Sequence, residues 1–180
     1  MKILILSNKP PFPPKDGGAI AIFNLAKGMA DHYHFIHILA MNTSKHKVQA
    51  SDIQNFNNLR FSMVNVDTTI KTKDLTINLV FSKQPYNAQR FVSAEYLEKL
   101  EPIILAGQYN LIQLEGPYLG FCIPLIRKIS NAKIVLRAHN IEHLIWQRIA
   151  DETTKPIKRK YIRLLASRLR RFEAFIFEKL

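Results

Sequence analysis

The sequence predicts an α/β fold: a doubly wound, mainly parallel sheet with helices on both faces. Short apolar runs alternate with helical patterns from the first residues onward, which is the signature of βαβ units. The first run, Lys2-Ile-Leu-Ile-Leu-Ser7, has no polar face, as expected of a strand covered on both sides. Three of the runs end in residues suited to a crevice: Gly17-Gly18 after a Pro-rich exit, Glu115-Gly116-Pro117, and Arg137-Ala138-His139-Asn140. Ligands of parallel sheets bind beyond the carboxyl ends of the strands, so these three loops should converge.

Each element has its own signal. Pro10, Pro11, Pro13 and Pro14 stiffen the exit from the first strand, and the glycine pair precedes a helix over Ala19–Ala30. That helix is apolar nearly all round and is expected to be buried. Phe35–Ala40 and the alternating Arg60–Val66 read as strands, with a polar stretch between them, Thr43–Asn58, that suits a short helix and loops. Leu75–Phe81 is apolar but fits either helix or strand. Ser93 suits the N-cap of a helix reaching about Gly107, which Pro102 should kink or shorten. Asn110–Glu115 is a strand, Tyr118–Ser130 a helix, Ala132–Arg137 a strand, and a further helix starts at Ile141. Ile157, Tyr161, Leu165, Leu169, Phe172 and Ile176 recur at helical spacing, so Pro156–Leu180 reads as one long amphipathic helix. It lacks a glycine or proline stop, and the expectation is that residues 1–180 form a single domain cut inside its last helix.

Composition bounds the class. With 47% hydrophobic and 22% charged residues, 180 residues suit one soluble globular domain. No apolar stretch is long enough to span a bilayer, and no secretory leader pattern follows Met1. Cys122 is the only cysteine, so an internal disulfide is excluded and a cytoplasmic setting is expected. The net charge is +12, and eight of those charges fall in the acid-free window from Lys155 to Arg171. Lys158, Arg159, Lys160 and Arg163 there are candidates for facing an anionic membrane; the alternative is a solvated helix face. Nucleic acid is disfavoured, because aromatic interleaving and any recognised binding module are missing.

The candidate site residues each carry two readings. Gly17 and Gly18 either bring free backbone N–H groups to a phosphate or merely make a turn; G-x-G-x-x-G and Walker patterns are both absent. Glu115 either bonds a hydroxyl-rich ligand or acts as a base, or is a solvated carboxylate at a strand end. His139 and Arg137 favour function, whereas Asn140 could simply cap the next helix, with Glu142 in its first turn. His139 and His143 are spaced like a zinc pair, yet no H-E-x-x-H or completing ligand set is present, so no metal is expected. Hydrolase chemistry lacks a nucleophile elbow.

The ordered set Lys2–Ser7 with its Pro-rich loop and Gly17-Gly18, then Leu111-Ile-Gln-Leu-Glu-Gly-Pro-Tyr-Leu119, Leu136-Arg-Ala-His-Asn-Ile-Glu-His143 and Arg163-Leu-Leu-Ala-Ser-Arg-Leu-Arg-Arg-Phe-Glu173 resembles the N-terminal domain of glycosyltransferase family 4. The resemblance covers essentially the whole chain. It implies the Rossmann-like N-terminal half of a GT-B fold and a retaining transfer from a nucleotide-sugar to a glycan or lipid-linked acceptor, with no cofactor or metal. It also implies a catalytic role for His139, a donor-phosphate loop at Gly17 and Gly18, and cleft-edge positions for Glu115, Arg137 and Asn140. A second, donor-binding domain and a further strand would lie outside these residues, leaving them inactive alone. Two departures stand out: Ala19-Ile20 where many relatives have an arginine, and Asn140 where many have an aspartate. The other reading is a non-catalytic Rossmann-like module that binds a nucleotide or phosphate.

Overall fold

The computed structural model describes residues 1–82 and 84–180, and side-chain surroundings at all of these except 50, 72, 76 and 80. Its centre is a five-stranded parallel sheet: β1 (Lys2–Ser7), β2 (Phe35–Thr43), β3 (Leu59–Val66), β4 (Leu111–Glu115) and β5 (Lys133–Arg137), in the order β3-β2-β1-β4-β5. The chain winds outward from β1 to β3, then crosses to β4 on the other side of β1. The switch of direction therefore lies between β1 and β4, where doubly wound sheets open a crevice.

Alternation along β1 explains both layers. Ile3 and Ile5 face α1 (Gly17–Asp31) with Ile22, Ala26, Ile36 and Ile38. Leu4 and Leu6 face the opposite cluster, built with Tyr96, Leu100 and Ile104 of α4 (Ala94–Gly107) and Ile126 of α5 (Ile123–Ile129). Burying β1 on both faces is why its sequence is a continuous apolar run. The expected α/β doubly wound architecture is the one observed.

The elements differ from expectation in instructive places. The glycine pair does not sit in a loop before the first helix: Gly17 and Gly18 are its first two residues, and Asp16 is its N-cap, accepting from the Ala19 N–H at 2.9 Å. That helix buries one face only, leaving Ile20 exposed. Thr43–Asn58 forms two 3₁₀ turns, Ser44–His46 and Ala50–Asp52, instead of an α-helix. The ambiguous 75–81 stretch lies in α2 (Thr72–Phe81), followed by the single turn α3 (Tyr86–Gln89).

Ser93 caps α4 through the Tyr96 N–H, and Pro102 lies inside the helix without shortening it. The Tyr118–Ser130 segment is divided. A 3₁₀ stretch, Pro117–Cys122, precedes α5, because Pro124 has no N–H and is tolerated only in an α-helix's first turn.

The last two helices, α6 (Glu142–Glu152) and α7 (Pro156–Phe177), pack along each other. Asn140 is not the cap of α6: the N-cap position is Ile141, and no side chain within the helix start serves it. The cap comes instead from the buried Glu173 of α7, whose carboxylate accepts from the backbone N–H of Glu142 (2.8 Å) and of His143 (3.2 Å) and pairs with His143 Nδ1 at 2.6 Å. No described helix is long and apolar enough to cross a membrane.

Candidate functional site

Strand register sets the site. Ser7 pairs with Ala40 on one side and Glu115 on the other, and Glu115 pairs with Arg137. The last residues of β1, β4 and β5 thus stand in one row at the carboxyl edge of the sheet. Above that row lies a cleft of about 590 Å³, lined by Lys9, Gly18, His46, Glu115, His139 and Trp146 among others.

Glu115 is the organising group. Its side chain is fully buried, and a buried carboxylate needs partners to replace lost water. It has them: Gln113 Nε2 donates to Oε1 at 2.5 Å, the Arg137 guanidinium lies 3.5 Å from the same oxygen, and His139 Nε2 sits 2.6 Å from Oε2. A carboxylate only accepts, so Nε2 carries the proton of that bond, and Nδ1 is the ring nitrogen without a partner among the described residues. Glu115 is therefore not a solvated strand end: its carboxylate is bonded to Gln113 and His139 and holds His139 at the cleft wall.

Arg137 turns away from the cleft, completing its bonding on the Ala21 carbonyl of α1 at 3.3 Å. Asn140 does line the cleft, beside His139. Gly116 makes the turn from β4 into the 3₁₀ stretch: its φ of 102° and ψ of 159° lie in a region open only to glycine.

The mouth of α1 is the second wall. Of the N–H groups that a helix start leaves unpaired, that of Ala19 is taken by Asp16, leaving those of Gly17 and Gly18. Gly18 lines the cleft, whereas Gly17 does not. Lys9 Nζ lies 2.5 Å from Asp16 Oδ1, and this bond, with that from the Ala19 amide, holds the Asp16 carboxyl below the usual carboxylate range. The Pro-rich loop that carries Lys9 is anchored by Phe12, whose ring packs against Phe23, Phe56 and Phe61.

Several lining residues carried no sequence signal. His46, Lys45, Thr68, Arg90 and Tyr118 come from loops and the 3₁₀ stretch. Tyr118 donates to Glu142 Oε2 at 2.9 Å, which ties the β4 turn to α6, and Arg90 stacks over Phe91. Lys158, Arg159, Lys160 and Arg163 stand apart from the cleft on α7. Arg159 is partly tied to the Thr153 carbonyl and Arg163 to Asp151, while Lys158 and Lys160 are exposed.

Among solved structures, the chain is similar to sucrose-phosphate synthase from Thermosynechococcus elongatus, with a TM-score of 0.55 at 13% identity. The match covers 90% of this chain and 39% of that one, so the chain spans well under half the synthase's length. This likeness shows a shared α/β, Rossmann-like fold. No protein-family model matches, and no curated protein does.

Proposed function

We propose that this chain is the N-terminal, acceptor-side domain of a retaining glycosyltransferase that moves a sugar from a nucleotide-sugar to a glycan or lipid-linked acceptor. The observation that carries this reading is the buried Glu115 holding His139 at the wall of a cleft that also exposes the start of α1. The fold shared with a sucrose-phosphate synthase and the ordered resemblance to glycosyltransferase family 4 support it.

In this reading a second domain holds most of the donor and closes over the cleft, and the 180 residues alone are inactive. Glu115 fixes the His139 ring so that its free edge meets the transferred sugar. The Gly18 amide and the Lys9 ammonium face the diphosphate and stabilise the charge that develops as it leaves. Asn140 and Glu142 stand where acceptor hydroxyls would enter. As the family resemblance implies, no metal takes part. The exposed cations of α7 suit a cytoplasmic protein held at the anionic inner face of a membrane, where cell-envelope glycans are assembled.

The test is nucleotide release from a UDP-, GDP- or ADP-sugar by the full-length protein. His139→Ala should lower the rate by about a hundredfold or more while leaving the fold intact. Glu115→Gln, which weakens the hold on the His139 ring and also removes the charge facing Arg137, should lower kcat more than it changes KM. Binding without turnover, unaffected by His139→Ala, would instead identify a non-catalytic nucleotide-binding module.

A further inference from the structure

A second cavity, of about 500 Å³, opens at the opposite end of the sheet. It lies against the α4 face of the amino ends of β1, β2 and β3, and α4 roofs it with Lys99, Pro102 and Ile103. Six residue steps along β2 take the strand from His37 in this cavity to Thr43 at the cleft, roughly 20 Å along an extended strand. The two sites are physically distinct.

Its lining is one-signed. Lys2, Arg60 and Lys99 face it, none of the described lining residues is acidic, and none of the three cations has an ion-pair partner among the described residues. Unpaired cations converging on a concavity raise the local potential for anions.

The polar floor is built rather than incidental. His37 is 3% exposed and is bonded on both ring nitrogens: Nδ1 to the Tyr109 hydroxyl at 2.7 Å and Nε2 to the Ser62 hydroxyl at 2.9 Å. Burial, helped by the charges of Arg60 and Lys99, pushes its pKa down to about 4, so the ring is neutral at pH 7. A neutral imidazole accepts through one nitrogen and donates through the other. The hydroxyl that donates to the ring spends its hydrogen there, and the hydroxyl that accepts from the ring keeps its own. In either tautomer one hydroxyl hydrogen, on Ser62 or Tyr109, is left over to be donated elsewhere. The Tyr109 ring occupies space left by the missing side chain of Gly107, where any Cβ would collide with it.

We propose that this cavity is a second ligand site, taking a small phosphate-bearing anion held by Lys2, Arg60 and Lys99 and by the spare hydroxyl hydrogen of the Tyr109–His37–Ser62 chain. Three cations and a neutral donor match a dianionic phosphate better than a carboxylate. Pro102 and Ile103 offer an apolar wall to the organic part of a phosphate ester.

The experiment is an amide-resolved NMR titration of the protein with inorganic phosphate and with glycerol 3-phosphate, using acetate as the monoanion comparison. Saturable shifts should appear at His37, Ser62 and Lys99 with either phosphate and be at least tenfold weaker with acetate. The double variant Arg60→Gln/Lys99→Gln changes only exposed side chains. It should weaken those shifts at least tenfold while leaving any phosphate response at Gly18 and His139 unchanged. Absence of saturable shifts at these amides, equal response to acetate, or an unaltered response in the double variant would each overturn the proposal.

Discussion

At the residue scale, the cleft depends on two glycines used for different reasons. Gly116 adopts a backbone conformation that strains any other residue, so Gly116→Ala should cost about 1–3 kcal/mol in urea unfolding and displace the Glu115–His139 pair. Gly18 has ordinary helical geometry, and an added Cβ would meet chiefly the flexible end of Lys9. Gly18→Ala should therefore shift stability by less than about 1 kcal/mol, since alanine is the better helix former. It should still weaken nucleotide-sugar binding, because the methyl group occupies the approach to the amide. Calorimetry on the variant separates the two effects.

Titration at His37 also belongs to this scale. Its folded pKa, about 4, lies below the usual 6.5, so the unfolded chain takes up the proton first. Stability should fall as pH drops from about 6.5 towards 4, by up to ~3 kcal/mol, and be fully retained above that window. Denaturant melts at several pH values check this. His37→Gln should flatten the difference between pH 7 and pH 4.5, and an unchanged slope would contradict it.

At the scale of elements, α6 is held by a residue it does not contain. Glu173 of α7 accepts the first amides of α6, so Glu173→Gln should cost about 1–3 kcal/mol by leaving buried donors poorly matched. It should also raise hydrogen exchange across α6, and with it loosen Glu142 and Trp146 at the cleft. Gly120 makes the complementary provision for α7, since a Cβ there would run into Ile176.

These two contacts show what the sequence could and could not disclose. The strands and most helices were legible because they are local: periodicity, Ser93 before its helix, and apolar β1. The glycine pair drew the expected helix start to Ala19, two residues late, and so the Asp16 cap was missed. The Glu173 cap joins residues 30 apart, the Glu115–His139 bond residues 24 apart, and the His37–Tyr109 bond residues 72 apart. Such partnerships follow from register and helix docking, which no single window of sequence contains. Asn140 illustrates the cost: a good local cap signal lost to a tertiary carboxylate.

At the scale of the whole molecule, the sheet presents two chemically different ends. Its carboxyl edge gathers Glu115, His139 and the start of α1 into the proposed transfer cleft. Its amino edge gathers cations around a neutral, buried histidine. The basic helix α7 contributes to neither cavity, and its exposed Lys158 and Lys160 are free to meet an anionic surface. Flotation with liposomes should recover more protein on anionic than on neutral vesicles, with the difference reduced in a Lys158→Gln/Lys160→Gln variant. Equal recovery would leave α7 a solvated face.

The measurement that bears most directly on the transferase reading is isothermal calorimetry of the full-length protein against UDP-, GDP- and ADP-sugars. We expect one nucleotide class to bind saturably, with affinity reduced by Gly18→Ala and turnover lost in His139→Ala. Failure of every nucleotide-sugar to bind would contradict the assignment of this fold to sugar transfer.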